Sequence, residues 1–239
     1  MTRGPVVVIV VALVAGLFLS ACGAGVRGSG NVTSESRDVS DFDEVVLEGI
    51  GNLTIQQTGS ETLTIEAEDN IIPYLKTEVE GDRLVIGEED NTAINATEPI
   101  NYRLTVKDLN ALTLSGTGNI ATTGISTDEL ALSVSGIGDI GASDTSTDEL
   151  QVELSGSGSV RAAGETDSQD IDIPGSGSYD AEDLESRETE IDLGGSGRAT
   201  VNVSDELDVR ISGSGSVEYS GDPTVRQNIS GSGNVVRQR

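Results

Sequence analysis

A Gly-x-Gly cassette recurs through the second half of this 239-residue chain at a nearly constant interval. Copies begin at Gly116, Gly136, Gly156, Gly175, Gly195, Gly213 and Gly231, in steps of 20, 20, 19, 20, 18 and 18 residues. Two earlier copies, Gly28-Ser29-Gly30 and Gly49-Ile50-Gly51, stand 21 apart. A unit of that length cannot bury an apolar face alone, but stacked on copies of itself it can.

The residues around each cassette alternate with a period of two. One rung reads Leu130, Leu132, Val134, Gly136, Gly138, Ile140, Ala142, and the next Leu150, Val152, Leu154, Gly156, Gly158, Val160, Ala162. Later rungs place Tyr179 and Tyr219 on the same parity, and the opposite parity is mostly Ser, Thr, Asp, Glu and Asn. That pattern turns one face of each strand inward and the other to water. Helical periodicity is absent from the repeat. A propeller blade needs about 40 residues or more, and a sandwich leaves the common phase of the cassettes unexplained. The reading is an all-β fold, a parallel β-helix with coils of about 18–21 residues. Glycine shares the inward parity, so it is expected where the coil wall narrows or turns.

The stretch from about 61 to 107 breaks the pattern. Strands are expected at Leu63–Ala67, Leu84–Ile86 and Tyr102–Val106, a short helix or turn at Ile71–Leu75, and a hairpin at Gly81-Asp82. The 67 residues from Gly49 to Gly116 leave room for about three coils with longer corners. They are read as irregular early coils of the same solenoid.

The first residues do not belong to that core. Arg3 supplies a basic start, Val6 to Leu19 is an uncharged apolar run, and Leu19-Ser20-Ala21-Cys22 follows. This is the order of a secretory signal peptide, and the run is short for a bilayer-spanning helix. Leu-Ser-Ala-Cys resembles the bacterial lipobox, whose cysteine is lipidated and becomes the new N-terminus. Cys22 is the only cysteine in the chain, so it is the expected lipid attachment site. The division is then 1–21 signal peptide, 22–27 a short anchored linker, and 28–239 a single β-helix domain. The protein is expected to be exported and held to a membrane through the lipid on Cys22.

At this point the chain resembles the head GIN domain family of autotransporter adhesins, in its lipoprotein form. The matching elements are Gly30-Asn31-Val32, Val45-Val46-Leu47 leading into Gly49-Ile50-Gly51-Asn52, the hairpin Gly81-Asp82-Arg83-Leu84-Val85-Ile86, the serial cassettes, and Gly231-Ser232-Gly233-Asn234-Val235. The resemblance spans roughly residues 28 to 236 and implies a right-handed coil. It brings no catalytic residues with it.

Forty-one acidic residues face 14 basic ones, giving a formal net charge of −27. Such a surface repels nucleic acid and anionic headgroups, and neither is expected as a partner. A dense carboxylate shell with two lysines, Lys76 and Lys107, also suits a saline medium. With no histidine, Ser-His-Asp and Cys-His catalysis and His-based zinc sites are excluded. The cassettes lack the Lys-Ser/Thr of a phosphate loop, so no cofactor is expected. Calcium rolls repeat an aspartate every nine residues, whereas the residue after each cassette here varies: Asn119, Asp139, Ser159, Ser178, Arg198, Ser216, Asn234. Acidic groups such as Glu88-Glu89-Asp90 and Thr147-Asp148-Glu149 read as solvated turns rather than metal sites.

What remains is an outward hydroxyl strip. Ser115, Ser135, Ser155, Ser212 and Ser230 precede the cassette, and Thr117, Ser157, Ser176, Ser196, Ser214 and Ser232 lie within it. The expected function is a non-enzymatic, adhesin-like or scaffold module offering a repetitive surface to an extracellular glycan or surface protein. The alternatives are a carbohydrate-active lyase or hydrolase, which would need an irregular cleft of carboxylates and arginine, and a purely structural protein.

Overall fold

The computed structural model describes residues 25–238; the expected signal segment 1–21 and the expected lipid site Cys22 lie outside the described residues. Apart from a 3-10 turn at Ile72–Tyr74, the regular elements described are strands. From Ala111 onward they stack in parallel, each coil on the one before, in register except for shifts at Ala142/Thr145, Arg161/Gly164, Ala181/Glu185 and Ser186/Glu188.

The alternating pattern becomes two continuous columns inside the stack. One runs Leu84, Val45, Leu112, Leu132, Val152, Ile171, Ile191, Val209, Gln227. The other runs Tyr102, Leu53, Ile120, Ile140, Val160, Tyr179, Ala199, Val217, Val235. Apolar members from Leu84 to Val209 and from Tyr102 to Val217 are buried in one contiguous cluster. Each such side chain contributes about 1.5–3 kcal/mol by leaving water, and stacking lets every coil complete the burial of its neighbour.

Each wide coil turns at three places. One is the cassette. The second is Ser143-Asp144, where Asp144 adopts φ +53°, a left-handed conformation that aspartate tolerates better than most residues. The third is Asp148-Glu149, where buried positions step by three, from Thr147 to Leu150, instead of two. From Gly116 onward the cassette glycines are required by close backbone approach rather than by positive φ, which among the earlier copies Gly30 and Gly51 do adopt. A β-carbon on Gly156 would run into the carbonyl oxygen of Gly136 and lie 2.6 Å from that of Ser135, one coil below. The same collision recurs at Gly136, Gly175, Gly195, Gly213 and Gly231, so the glycines stack as a column of bare backbone.

The segment 61–107 departs from the expected series of early coils. Arg83–Glu88 and Asn101–Val106 do form coil strands, but they stack outside Glu44–Leu47 and Asn52–Gln57, so order in space differs from order in sequence. The rest of the segment forms a lid. Leu75–Glu80 pairs antiparallel with Arg83–Glu88 through the hairpin at Gly81-Asp82, where Gly81 has φ +71°. Thr62–Glu68 pairs antiparallel with Asn101–Val106, and Val32–Arg37 with Thr62–Glu68. Antiparallel partners satisfy the outward N–H and C=O groups that a bare end coil would leave open.

The early copy Gly28-Ser29-Gly30 is not a rung. It belongs to a clasp beside the short parallel pair Val26–Arg27 with Ile94–Asn95. Glu68 closes that clasp, accepting from Gly30 N at 2.6 Å, Thr97 N at 2.8 Å and Thr97 Oγ1 at 2.5 Å.

Candidate functional site

The hydroxyl strip is exposed, as its parity required, but it is broken. Pro174 and Gly194 occupy the column before the cassette, and Ile137, 68% exposed, interrupts the column within it. Its regularity reflects the backbone ladder beneath, in which Ser157 N donates to Gly136 O at 3.1 Å and Ser176 N to Gly156 O at 3.1 Å.

The residues after the cassette form a structural ladder rather than a metal site. Asn119 Nδ2 donates to Asn52 Oδ1 at 3.2 Å, Asn52 Nδ2 donates to Asn101 Oδ1 at 3.2 Å, and Ser159 Oγ donates to Asp139 Oδ1 at 2.6 Å. Glu88 is likewise engaged, accepting from Ile50 N at 3.1 Å. Thr147 is nearly buried and donates to backbone carbonyls of Asp128 and Glu149 at 3.1 and 3.0 Å. Among the described residues no group of three or more His, Cys, Asp or Glu is arranged to hold a metal ion.

A departure from the repeat lies on the short side of the coil. Between the coils at Ser178–Leu193 and Arg198–Ile211 the register slips: Ala181 pairs with Val201, but Glu185 pairs with Asn202. Residues 182–184 therefore have no counterpart in the next coil, and the solenoid narrows there. Beside this step a groove of about 620 Å³ crosses successive coils, from Ser146–Asp148 past Glu165–Asp167 and Glu185–Arg187 to Asn202–Ser204 and Asp222. Its volume falls within the usual range of ligand pockets. Its lining mixes apolar surface, Val203 included, with carboxylates, serine and threonine hydroxyls, an amide and a guanidinium. Arg187 stands between Asp167 and Asp205, at 3.7 and 3.4 Å.

The groove floor is tied to the core by a chain of buried polar groups. Tyr179 donates to Gln169 Oε1 at 2.6 Å, Gln169 Nε2 reaches Thr189 Oγ1 at 3.5 Å, and Thr189 meets Ser186 Oγ at 3.0 Å. Ser186, on the groove wall, donates onward to Asn202 O at 2.9 Å. Gln169 and Thr189 occupy a column that holds Leu130, Leu150 and Leu207 in other coils. Polar residues on inward parity, Gln169 and Thr189, are the sequence signal for this chain of groups. Burial raises the Tyr179 phenol, with a smaller push from Asp180, so it stays a neutral donor.

A different face is strongly acidic. Gln151, Asp170, Glu190, Asp208 and Arg226 form one outward column, and Glu153, Asp172, Asp192 and Arg210 the next. Partial burial, then the neighbouring carboxylates Glu190 and Glu149, raise the Asp170 carboxyl. Burial followed by Asp192 and Glu153 does the same to Asp172. Arg210 pairs with Glu190, and Arg226 with Glu206, which relieves part of this repulsion.

Comparison with known proteins agrees with this architecture. The family described as "Putative auto-transporter adhesin, head GIN domain" matches residues 41–223. A putative adhesin from Bacteroides fragilis superposes with a TM-score of 0.84 at 23% identity, covering 90% of this chain and 100% of that one. A structure described as a putative lipid binding protein from Parabacteroides distasonis has a TM-score of 0.76 at 25% identity, covering 90% and 99%. A putative adhesin from Parabacteroides merdae has a TM-score of 0.67 at 20% identity, covering 90% and 99%. No curated protein matches the chain.

Proposed function

As this chain belongs to the head GIN domain family, we propose that it is a non-enzymatic, adhesin-like module of the cell envelope, binding an extracellular glycan through its rigid solenoid side. The observation that carries this reading is the groove beside the register slip at residues 182–184. It is a concave, hydrogen-bonding surface on a wall fixed by stacked strands, and a rigid wall lowers the ordering penalty of binding. The outward strip of small hydroxyls is a second polar surface, but its interruptions at Ile137, Pro174 and Gly194 make it less suited to a regular polymer.

The chemistry of the lining supports binding rather than turnover. The chain has no histidine, and Arg187, the one cation among the described residues that line the groove, is already paired with Asp167 and Asp205. The module is exported and anchored through a lipid on Cys22, which holds the solenoid at a membrane surface; the order of Arg3, the apolar run and Leu19-Ser20-Ala21-Cys22 supports this.

The test is retention of the full chain on immobilised envelope and extracellular polysaccharides at low and high salt. Salt-resistant retention of one polymer, recovered at its original length, supports the binding module. Shortened polymer makes the protein a depolymerising enzyme, and no retention at any salt removes the glycan reading.

A further inference from the structure

Both ends of the solenoid leave strand edges open. Among the described residues, Thr224–Ile229 and Asn234–Arg237 pair only with the coil before them, Val32–Arg37 only with Thr62–Glu68, and Leu75–Glu80 only with Arg83–Glu88. The same two ends gather the exposed apolar side chains. Of the six large ones, Val32, Tyr74 and Val79 lie on the lid, Ile229 and Val236 on the last coil, and Ile137 alone elsewhere. Open edges of this kind recruit further strands.

Charge distinguishes the ends. Residues 223–238 carry Arg226 and Arg237 and no Asp or Glu, in a chain of formal charge −27. The lid edges carry Glu35, Glu78 and Glu80 against Arg37 and Lys76. A second copy of the chain therefore offers each end a partner of opposite sign, whereas last coil on last coil, or lid on lid, sets like charge against like.

The backbone groups fit as well, because N–H and C=O groups alternate sides along a strand. Asn234 N donates to Gly215 O at 3.2 Å and Gln238 N to Tyr219 O at 2.8 Å, so Val235 and Arg237 turn theirs away from the stack. Asp69 N donates to Asn31 O at 2.9 Å, so Val32, Ser34 and Ser36 turn theirs outward on the lid. Val32–Arg37 runs parallel to the coil strands, two antiparallel steps outside Asn101–Val106. Continued straight across the junction, the register of the stack sets Val235 against Glu35, and hence Arg237 against Arg37. A slide of one pleat keeps every side chain on its face and brings Arg237 opposite Glu35 and Val235 opposite Thr33. The Val235 and Arg237 amides then reach the Val32 and Ser34 carbonyls, and the Ser34 and Ser36 amides reach the Val235 and Arg237 carbonyls. Leu75–Glu80 stands one strand lower and faces Thr224–Ile229 across about 10 Å, the width of one missing strand. Val79 and Ile229 share the inward parity there, and Glu78, Glu80 and Arg226 the outward one.

We propose that the basic last coil of one copy docks on the acidic lid of the next, adding Asn234–Arg237 to Val32–Arg37 and joining copies head to tail. The two faces differ, so association continues past two copies. This holds or fails independently of the glycan reading.

The experiment is oxidative crosslinking of the full chain at about 0.15 M salt, where a Debye length of about 8 Å screens the bulk repulsion between copies. Ser34→Cys and Val236→Cys place thiols at directly opposite positions of the proposed ladder. The double variant is expected to give disulfide-linked dimers, trimers and longer species. A mixture of the two single variants is expected to give dimers alone, above the baseline of the parent with Cys22 only. Adding Arg237→Glu to the double variant is expected to cut the crosslinked fraction about tenfold or more, and adding Glu35→Arg as well to restore it. Ala121→Cys with Val236→Cys, one thiol mid-wall and one at the end, measures random collision. No longer species from the double variant, or as much crosslinking from the Ala121 pair, overturns the docking. Dimers from Val236→Cys alone, or from Ser34→Cys alone, overturn the head-to-tail arrangement in favour of like ends meeting. A loss through Arg237→Glu that Glu35→Arg fails to restore overturns the register.

Discussion

The hydroxyl of Tyr179 donates a 2.6 Å hydrogen bond to Oε1 of Gln169 in the interior of the stack, ten residues away in sequence and one coil away in space. Both side chains are essentially inaccessible to water, at 1% and 2% exposure, so neither has an alternative partner in solvent. The pair holds the middle coils together just before the solenoid narrows.

Replacing Gln169 by Leu restores the residue type found at Leu130, Leu150 and Leu207, yet it strands the Tyr179 hydroxyl. An unsatisfied buried polar group costs about 1–3 kcal/mol. Gln169→Leu is therefore expected to unfold at lower denaturant, and Gln169→Leu with Tyr179→Phe to recover much of the loss. Urea unfolding of both variants checks this; a single variant as stable as the parent would mean that the hydroxyl finds another partner.

The cassette glycines give a second prediction. Gly156→Val and Gly213→Val place a side chain against backbone carbonyls of the coil below, which cannot rotate away. Each is expected to destabilise by about 1–3 kcal/mol, the usual range of overpacking. Gly141→Ala is the control, because nothing lies within 4 Å of its added carbon. Thermal melting of the three variants separates close packing from a general effect of losing glycine.

The β-solenoid was legible because one period fixed both composition and phase. The cassettes, the inward rows through Leu132 and Ile140, and the hairpin at Gly81-Asp82 can be read from neighbouring residues alone. The rest of the lid could not be read that way. Val32–Arg37 alternates poorly and finds its place only through Thr62–Glu68, and Arg83–Val106 lies outside Glu44–Gln57 because of how the chain crosses over, which no local pattern encodes. The groove was half visible. The step falls from 20 to 18 residues after Gly195, but a count does not reveal which side of the coil shortens.

Stability should depend on acid through Glu68. Four hydrogen bonds, led by the Thr97 hydroxyl and including the Thr97, Gly30 and Glu98 amides, hold its carboxyl down to about 2 from 4.5. A depressed carboxyl adds stability that is fully present above the unfolded value and is lost as pH falls through the folded one. The clasp is thus expected to weaken between about pH 4.5 and 2. Glu68→Gln should lower stability at pH 7 and flatten this part of the pH profile. Hydrogen exchange at Gly30 and Thr97 between pH 7 and 3 reads the effect locally; exchange in the parent that matches the variant throughout would remove Glu68 from this role.

Salt gives the opposite kind of test, on the face carrying Asp170, Glu190, Asp172 and Asp192. Their mutual repulsion is least screened at low ionic strength, since the Debye length falls from about 30 Å at 0.01 M to about 3 Å at 1 M salt. The full chain, at a formal −27, is expected to melt higher as sodium chloride is raised. Asp170→Asn should raise low-salt stability and narrow that dependence, because the raised Asp170 carboxyl marks a charge the fold holds against burial and like neighbours. If Asp170→Asn lowered stability at every salt concentration, Asp170 would be an acceptor in a favourable contact rather than a source of strain.

The anchor is tested at Cys22, whose thiol is the sole candidate for lipid attachment in the chain. Cys22→Ser removes the proposed lipid acceptor but leaves the apolar run from Val6 to Leu19, so export and anchoring become separable. The parent is expected to partition into detergent phase after signal removal and to gain mass from acyl chains. The variant is expected to lack that mass and to leave the membrane wherever the signal is still cut. One acyl chain holds a protein to a bilayer only marginally, so firm retention of the parent implies more than one chain on the new terminus. If the cleaved variant stayed with the membrane as firmly as the parent, the solenoid itself would be the membrane-binding part.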